Sequence, residues 1–195
     1  MCLDDAAPSR TWEGIVAASS QAVDTQPMNP TPRLLMTFSG SADEPAWDAL
    51  NDGVMGGLSR GGPAVADGQL RFAGTLSLAN NGGFCSVRTN GRQFDLAGAK
   101  AMLLRVQGDG RTYQLRLATD ARVRGSHVSY RAEFPTIAGQ WTEVRIPFAT
   151  LVPTYRGDRL DDPPLDLTKV EEIGLLIGDS REGPFVLVVD WVKVE

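Results

Sequence analysis

Residues 111–134 read "RTYQLRLATDARVRGSHVSYRAEF", and two runs of period two stand out in them. In the first, Tyr113, Leu115 and Leu117 fall on one side and Gln114 and Arg116 on the other. In the second, Val128, Tyr130, Ala132 and Phe134 alternate with polar residues. A strand turns successive side chains to opposite faces, so an apolar residue at every second position marks a strand with one face buried and one in water.

The same reading extends outward in both directions. "QLRFAGTLSL" (69–78) places Leu70, Phe72, Leu76 and Leu78 on one side, and "WTEVRIPF" (141–148) does so with Val144, Ile146 and Phe148. "GFCSVRT", "KAMLLRVQ", "VEEIGLLIG" and "PFVLVVDWVKV" add further runs, separated by Gly, Asp and Asn. That gives at least eight strands at the spacing of roughly 8–12 residues expected of an antiparallel sandwich. No long segment has helical period, so an all-β antiparallel β-sandwich is predicted, a jelly roll whose two packed sheets hide their edges. The stretch "VPTYRGDRLDDPPLDLTK" (152–169) is rich in proline and charge and is expected to be a long loop. Residues 1–32 carry Pro8, Pro27, Pro30 and Pro32 with no sustained period. They are expected to form a flexible N-terminal extension with a short helix from Thr11 to Val23, ahead of a single β-sandwich domain at 33–195.

Composition narrows the function. A chain of 195 residues, 42% hydrophobic and 22% charged, is an ordinary globular one with room for one core. No apolar run approaches the roughly 18 residues of a membrane span, so no integral membrane segment is expected. The net charge of -5 argues against nucleic-acid binding. Arg105, Arg111, Arg116, Arg122, Arg124 and Arg131 crowd one segment opposed only by Asp109 and Asp120; arginines on the solvent side of strands are the preferred reading over one basic face. Cys2 and Cys85 make no disulfide framework and lie in no Cys/His cluster, which fits a reducing compartment. The first thirty residues lack a charged start followed by an apolar stretch, so no secretory signal is expected. The expected location is the cytoplasm, with a peripheral position at the inner membrane left open.

The chemistry, if any, should sit in "WDALNDGVMGGLSRG" (47–61). Gly57-Leu58-Ser59-Arg60-Gly61 satisfies the G-x-S-x-G pattern, but a nucleophile elbow needs a strand before the serine and a helix after it, and turn chemistry surrounds this one. A triad would also need His127, the single histidine, beside Ser59 with a carboxylate such as Asp52 behind it. No glycine-rich phosphate loop is present, and neither a cofactor nor a His/Cys metal site is expected. A calcium site built from Asp and backbone carbonyls would leave little trace and stays open. The structural reading is simpler. Gly53, Gly56 and Gly57 allow close backbone approach, Asn51 and Asp52 bond to nearby backbone, and Trp47 pins the loop to a sheet. In "SLANNGGFCSVRTN" (77–90), Asn80, Asn81, Gly82 and Gly83 are expected to form a hairpin turn, with the face of Arg88 left open.

Together these stretches resemble the complex I intermediate-associated protein 30 family. The resemblance rests on the N-D-G-V-M-G-G-x-S loop, the N-N-G-G-F-x-S-x-R segment, a Y-x-L-R strand, W-x-x-V-x-I-P-F and a terminal G-P-F-x-L-x-V-D-W-V, and it spans residues 34–194. It implies a β-sandwich of the galactose-binding-domain-like type and a chaperone-like role in assembling a membrane complex, without catalysis. It carries the family's motif onto Asn51, Asp52, Gly53, Met55, Gly56, Gly57, Ser59, Asn81, Gly82, Gly83, Phe84, Ser86 and Arg88, with no chemical role attached to any of them.

The function expected is therefore a non-catalytic protein-interaction module. It would act as an assembly or biogenesis factor for a membrane complex, with Trp47 and the two motif loops meeting a protein client, a complex subunit or an assembly factor. The alternative is a small-ligand or carbohydrate-binding module in which Trp47, Trp141 and Tyr155 stack on a sugar ring while Asn51, Asp52, Asn81 and Arg88 bond its hydroxyls. An enzyme using Ser59 or Asp52 with His127 ranks last.

Overall fold

A computed structural model describes residues 31–195. The expected N-terminal extension, its short helix and Cys2 lie outside the described residues. Among the described residues, thirteen strands form two antiparallel sheets. One sheet runs β3 (Arg60–Ala66), β4 (Gln69–Leu76), β13 (Gly183–Val194), β6 (Ala101–Gln107), β9 (Trp141–Pro147), with β1 (Arg33–Met36) also paired to β13. The other runs β11 (Asp158–Arg159), β10 (Val152–Tyr155), β8 (Ser126–Pro135), β7 (Thr112–Val123), β12 (Val170–Ile177), β5 (Cys85–Asn90), β2 (Ala46–Asn51). The chain switches repeatedly from one sheet to the other, as a jelly roll does.

The alternation read from the sequence is the alternation that packs. Tyr113, Leu115 and Leu117 of β7 and Val128, Tyr130 and Phe134 of β8 are buried, and they face Leu70, Phe72, Leu187 and Val189 of the opposite sheet. Phe72 stacks edge-on against Phe185 at 4.9 Å and reaches Tyr113 across the interface at 6.4 Å. β7 and β8 are one hairpin, closed by Arg124 and Gly125 with φ of 50° and 80°, the positive values a tight turn between twisted strands needs.

The structure corrects three expectations. Residues 152–169 are not all loop: Val152–Tyr155 pairs with β8, and the Arg156-Gly157 turn folds Asp158–Arg159 back on it as the edge strand. Pro153 is tolerated because the sheet ends there, where one missing N–H breaks little of the ladder. Leu78 does not continue the buried face of β4; the strand ends at Leu76 and Leu78 is 40% exposed. The Asn80–Gly83 segment is no hairpin turn, because β4 and β5 belong to different sheets.

The arginines of residues 105–131 are spread over several faces. Arg105 lies on the six-stranded sheet beside Asp190 and over Trp141, Arg122 pairs with Glu171 near the β7–β8 turn, and Arg116 and Arg131 are cross-strand neighbours on the seven-stranded sheet. Arg111 is buried, only 5% exposed, and forks onto Asp179 through Nε at 3.0 Å and Nη2 at 2.5 Å. It also donates to the carbonyls of Arg181 and Pro184. It thus ties the β6–β7 crossover to the β12–β13 crossover. The Asp179 bonds and charge hold its guanidinium more firmly protonated than usual, against the opposing effect of burial. Removing one member of a buried pair strands the other, at about 3–5 kcal/mol. Arg111→Met is therefore expected to lower unfolding free energy in urea by about 3–5 kcal/mol, whereas Arg105→Met, on the open face, should change it by under about 0.5 kcal/mol.

Candidate functional site

The two motif stretches meet. β2 and β3 are the edge strands of the two sheets on the same side of the sandwich, and the chain crosses between them through a 3-10 turn at Asp52–Met55. β4 crosses to β5 through Ala79–Asn81. Both crossovers converge on the carboxylate of Asp52, which is fully buried. Its Oδ1 accepts the backbone N–H of Ser59 at 3.0 Å, and its Oδ2 accepts those of Gly83 at 2.7 Å and Phe84 at 3.3 Å. Its own N–H donates to the carbonyl of Phe84, and its carbonyl accepts from Gly57.

This explains the glycines. A Cβ on Gly57 would come within 2.3 Å of the Asp52 carboxyl carbon, and one on Gly82 within 2.6 Å of its Oδ2. Both positions are bare so that the backbone can close around the anion. Asn80 and Asn81 each take φ near 56°, a left-handed conformation that Asn tolerates better than most residues, and Asn80 Nδ2 donates to the carbonyl of Gly56. Asn51 Nδ2 donates to the carbonyl of Gly61 at 2.8 Å, joining β2 to β3.

The remaining candidates divide between this lock and other places. Ser59 is buried, and its hydroxyl exchanges hydrogen bonds with Ser77 at 3.0 and 3.1 Å. Trp47 tilts against Phe38 at 6.1 Å and packs on the core. Gly56 closes the 3-10 turn with φ 88°, while Gly53 and Met55 are exposed. Ser86 Oγ donates to the carbonyl of Leu50. Arg88 points to the outer face of the seven-stranded sheet, where it meets Glu172 at 3.3 Å. The nucleophile arrangement is not assembled. His127 lies on that outer face, with Nδ1 3.0 Å from the carbonyl of Thr119, and Ser59 is spent on backbone. The aromatic trio is likewise divided: Trp47 is in the core layer, Trp141 on the six-stranded sheet and Tyr155 on β10. Cys85 is a buried core residue whose thiol is pushed up to about 11 by burial and by the nearby Asp52 charge.

Of the surface the lock presents, the sequence reading named only Met55. Val54 (69% exposed), Met55 (66%) and Leu58 (56%) project from the first crossover, and Leu78 from the second. Their signal was available: apolar residues in a glycine-rich turn, with no alternation to bury them. A second feature is a groove of about 390 Å³ on the outer face of the seven-stranded sheet, with Ser86, Arg88, Arg116, His127 and Glu172 in its lining. Among the described residues, no cluster of three His, Cys, Asp or Glu side chains could hold a metal, and no helix is long and apolar enough to cross a membrane.

Burial alone would raise the pKa of Asp52, but the hydrogen bonds from Ser59, Gly83 and Phe84 outweigh it and hold the carboxyl below its ordinary 3.8. A group whose pKa falls on folding adds stability above its unfolded pKa, and that stability is lost as pH drops through the folded one. Asp52→Asn keeps the shape but turns an NH2 toward backbone donors. It is expected to cost about 2–3 kcal/mol near pH 7, and its urea midpoint should fall less steeply than that of the parent as pH is lowered below 3.8. A midpoint at neutral pH equal to the parent's would overturn this assignment.

Against known proteins, the model of the family described as complex I intermediate-associated protein 30 matches residues 36–189. The mitochondrial complex I intermediate-associated protein 30 of Mus musculus is 32% identical over 104 residues, which are 52% of this chain and 32% of that protein's length. An uncharacterized protein of Schizosaccharomyces pombe is 28% identical over 165 residues, covering 74% of this chain and 75% of that one. Among solved structures, the family 11 carbohydrate-binding module of the cellulosomal cellulase Lic26A-Cel5E of Clostridium thermocellum superposes with a TM-score of 0.63. It is 15% identical and the match covers 84% of this chain and 94% of that one, a likeness of fold.

Proposed function

The chain belongs to the complex I intermediate-associated protein 30 family, and from that premise we propose that it is a non-catalytic protein-interaction module, an assembly or biogenesis factor for a membrane complex of the respiratory complex I kind. The observation that carries the proposal is the apolar tip formed by Val54, Met55, Leu58 and Leu78, held out on two crossovers that the Asp52 carboxylate ties together. Exposed apolar side chains clustered together mark interaction sites more often than scattered ones do. A pre-formed loop also loses little conformational freedom when it docks. Mouse complex I intermediate-associated protein 30 is a mitochondrial protein; the client here is a subunit or assembly factor of the corresponding complex, met peripherally.

A second reading is a small-ligand or carbohydrate-binding module. It is supported by the groove on the seven-stranded sheet and by the shared fold with a carbohydrate-binding module.

Cross-linking with mass spectrometry on the tagged full chain in its host tests the first reading. Val54→Asp with Leu58→Asp should leave stability within about 0.5 kcal/mol of the parent and cut cross-links to membrane-complex subunits by roughly tenfold, the loss typical of interface anchors. Val65→Asp, on an exposed apolar position of β3, should change neither. A cross-link pattern that survives the double variant sinks the tip as the docking surface.

A further inference from the structure

The outer face of the seven-stranded sheet carries a charge arrangement that the loop tip does not explain. Cross-strand pairing sets Asp48, Arg88, Gly174, Arg116, Arg131 and Val152 in one row across β2, β5, β12, β7, β8 and β10. Neighbouring strands lie about 4.8 Å apart, so three arginines fall within roughly 15 Å of one another. The middle of the row has no side chain. Gly174 stands between Arg88 and Arg116, where a Cβ would come within 2.9 Å of the carbonyl of Val87, and the groove opens over it.

Arg116 is the residue at odds with its surroundings. It is half-buried, and among the described residues its guanidinium bonds only the neutral Gln114 Oε1, through Nε and Nη2 at 3.3 Å each. The other two arginines have carboxylates, Arg88 with Glu172 at 3.3 Å and Arg131 with Glu133 at 3.8 Å. Burial, together with repulsion from Arg131, pulls Arg116 down to about 10, which still leaves it charged at neutral pH. A partly desolvated cation beside a second cation is unfavourable unless something anionic answers it. Among the described residues, the groove lining holds Arg88, Arg116 and Arg156 against Glu172 as its one carboxylate, with hydroxyls from Ser126 and Ser129. Among the described residues, its lining includes no Trp, Tyr or Phe, the rings on which a neutral sugar would stack.

Resting on the ligand-binding reading, we propose that this groove binds a small polar ligand bearing a carboxylate or phosphate group, the oxyanion seated between Arg88 and Arg116 over Gly174. The guanidinium fork suits either group, because both present two oxygens in the geometry of its N–H donors.

Titration of the full chain, followed through the Nε–Hε NMR signals of its arginines, tests this with glucuronate, glucose 6-phosphate, and neutral glucose and cellotetraose as probes. Glucuronate or glucose 6-phosphate should move the Arg116 and Arg88 signals, and whichever binds more tightly names the source of the oxyanion. Affinity should drop at least tenfold in Arg116→Gln, partly recover in Arg116→Lys, weaken with added salt, and stay unchanged in Arg105→Gln on the other sheet. Arg88→Gln serves as an independent variant and should also weaken binding. Cellotetraose binding in the groove that is indifferent to salt and to Arg116→Gln would keep the ligand-binding reading and overturn the anion. Silence toward all four probes would overturn both, and leave the protein-interaction reading untouched.

Discussion

A sandwich whose chain changes sheets must strip backbone groups of their ladder partners at each crossing, and in this molecule a buried carboxylate repairs the worst of it. At the Asp52 crossing the orphans are N–H groups, those of Ser59, Gly83 and Phe84, and an anion with two oxygens accepts all three. At the Arg111 crossing they are carbonyls, those of Arg181 and Pro184, and a cation with a fork of donors satisfies them while pairing with Asp179. Each charge is matched to the kind of group left over. Both act on the thiol of Cys85, with opposite sign, so the two staples close neighbouring parts of the sandwich.

The consequence for function is rigidity in a place where loops are usually mobile. Asp52 cannot leave its cradle without exposing three donors, and a side chain at Gly57 or Gly82 would collide with its carboxylate. The turn at Asp52–Met55 is therefore fixed from within, and the side chains that take no part in the lock are the ones that meet solvent: Val54, Met55 and Leu58. Serine or aspartate at those positions would be cheaper in water. The apolar surface at the tip is therefore a fixed one, which is what the proposed contact with a protein client requires.

The fold was legible because it depends on period two, and Tyr113 to Leu117 and Val128 to Phe134 could be read as inward faces with no knowledge of their partners. Pairing was not legible. Leu78 continues the period of β4 by one step, yet Ser77 turns out of the strand to bond Ser59, a contact between residues 18 apart. Asn80–Gly83 has the composition of a hairpin turn, and only knowing that β4 and β5 lie in different sheets reveals a crossover. The residues of the site were named from the motif, but their roles were not. Asp52 looked like a turn residue because nothing in its own turn says that its carboxylate points inward to the N–H groups of Ser59, Gly83 and Phe84, two of them more than 30 residues away. Arg116 looked like an ordinary outward arginine because its lack of a carboxylate partner depends on what β8 and β12 place beside it.

The stretches 51–59 and 80–88 thus mostly describe a corner between the two sheets. Asp52, Gly57, Gly82 and Ser59 are consumed in shaping backbone, which leaves the surface of that edge to other side chains. Two displays coexist on this chain, and they differ in kind. The crossover tip is apolar, neutral and backed by buried hydrogen bonds, suited to a dry contact with a protein surface. The groove on the seven-stranded sheet is polar and cationic, with no side chain at Gly174 between Arg88 and Arg116. The tip is carried by the two crossovers and the groove mainly by the strands of the seven-stranded sheet, so each surface is shaped by different stretches of backbone.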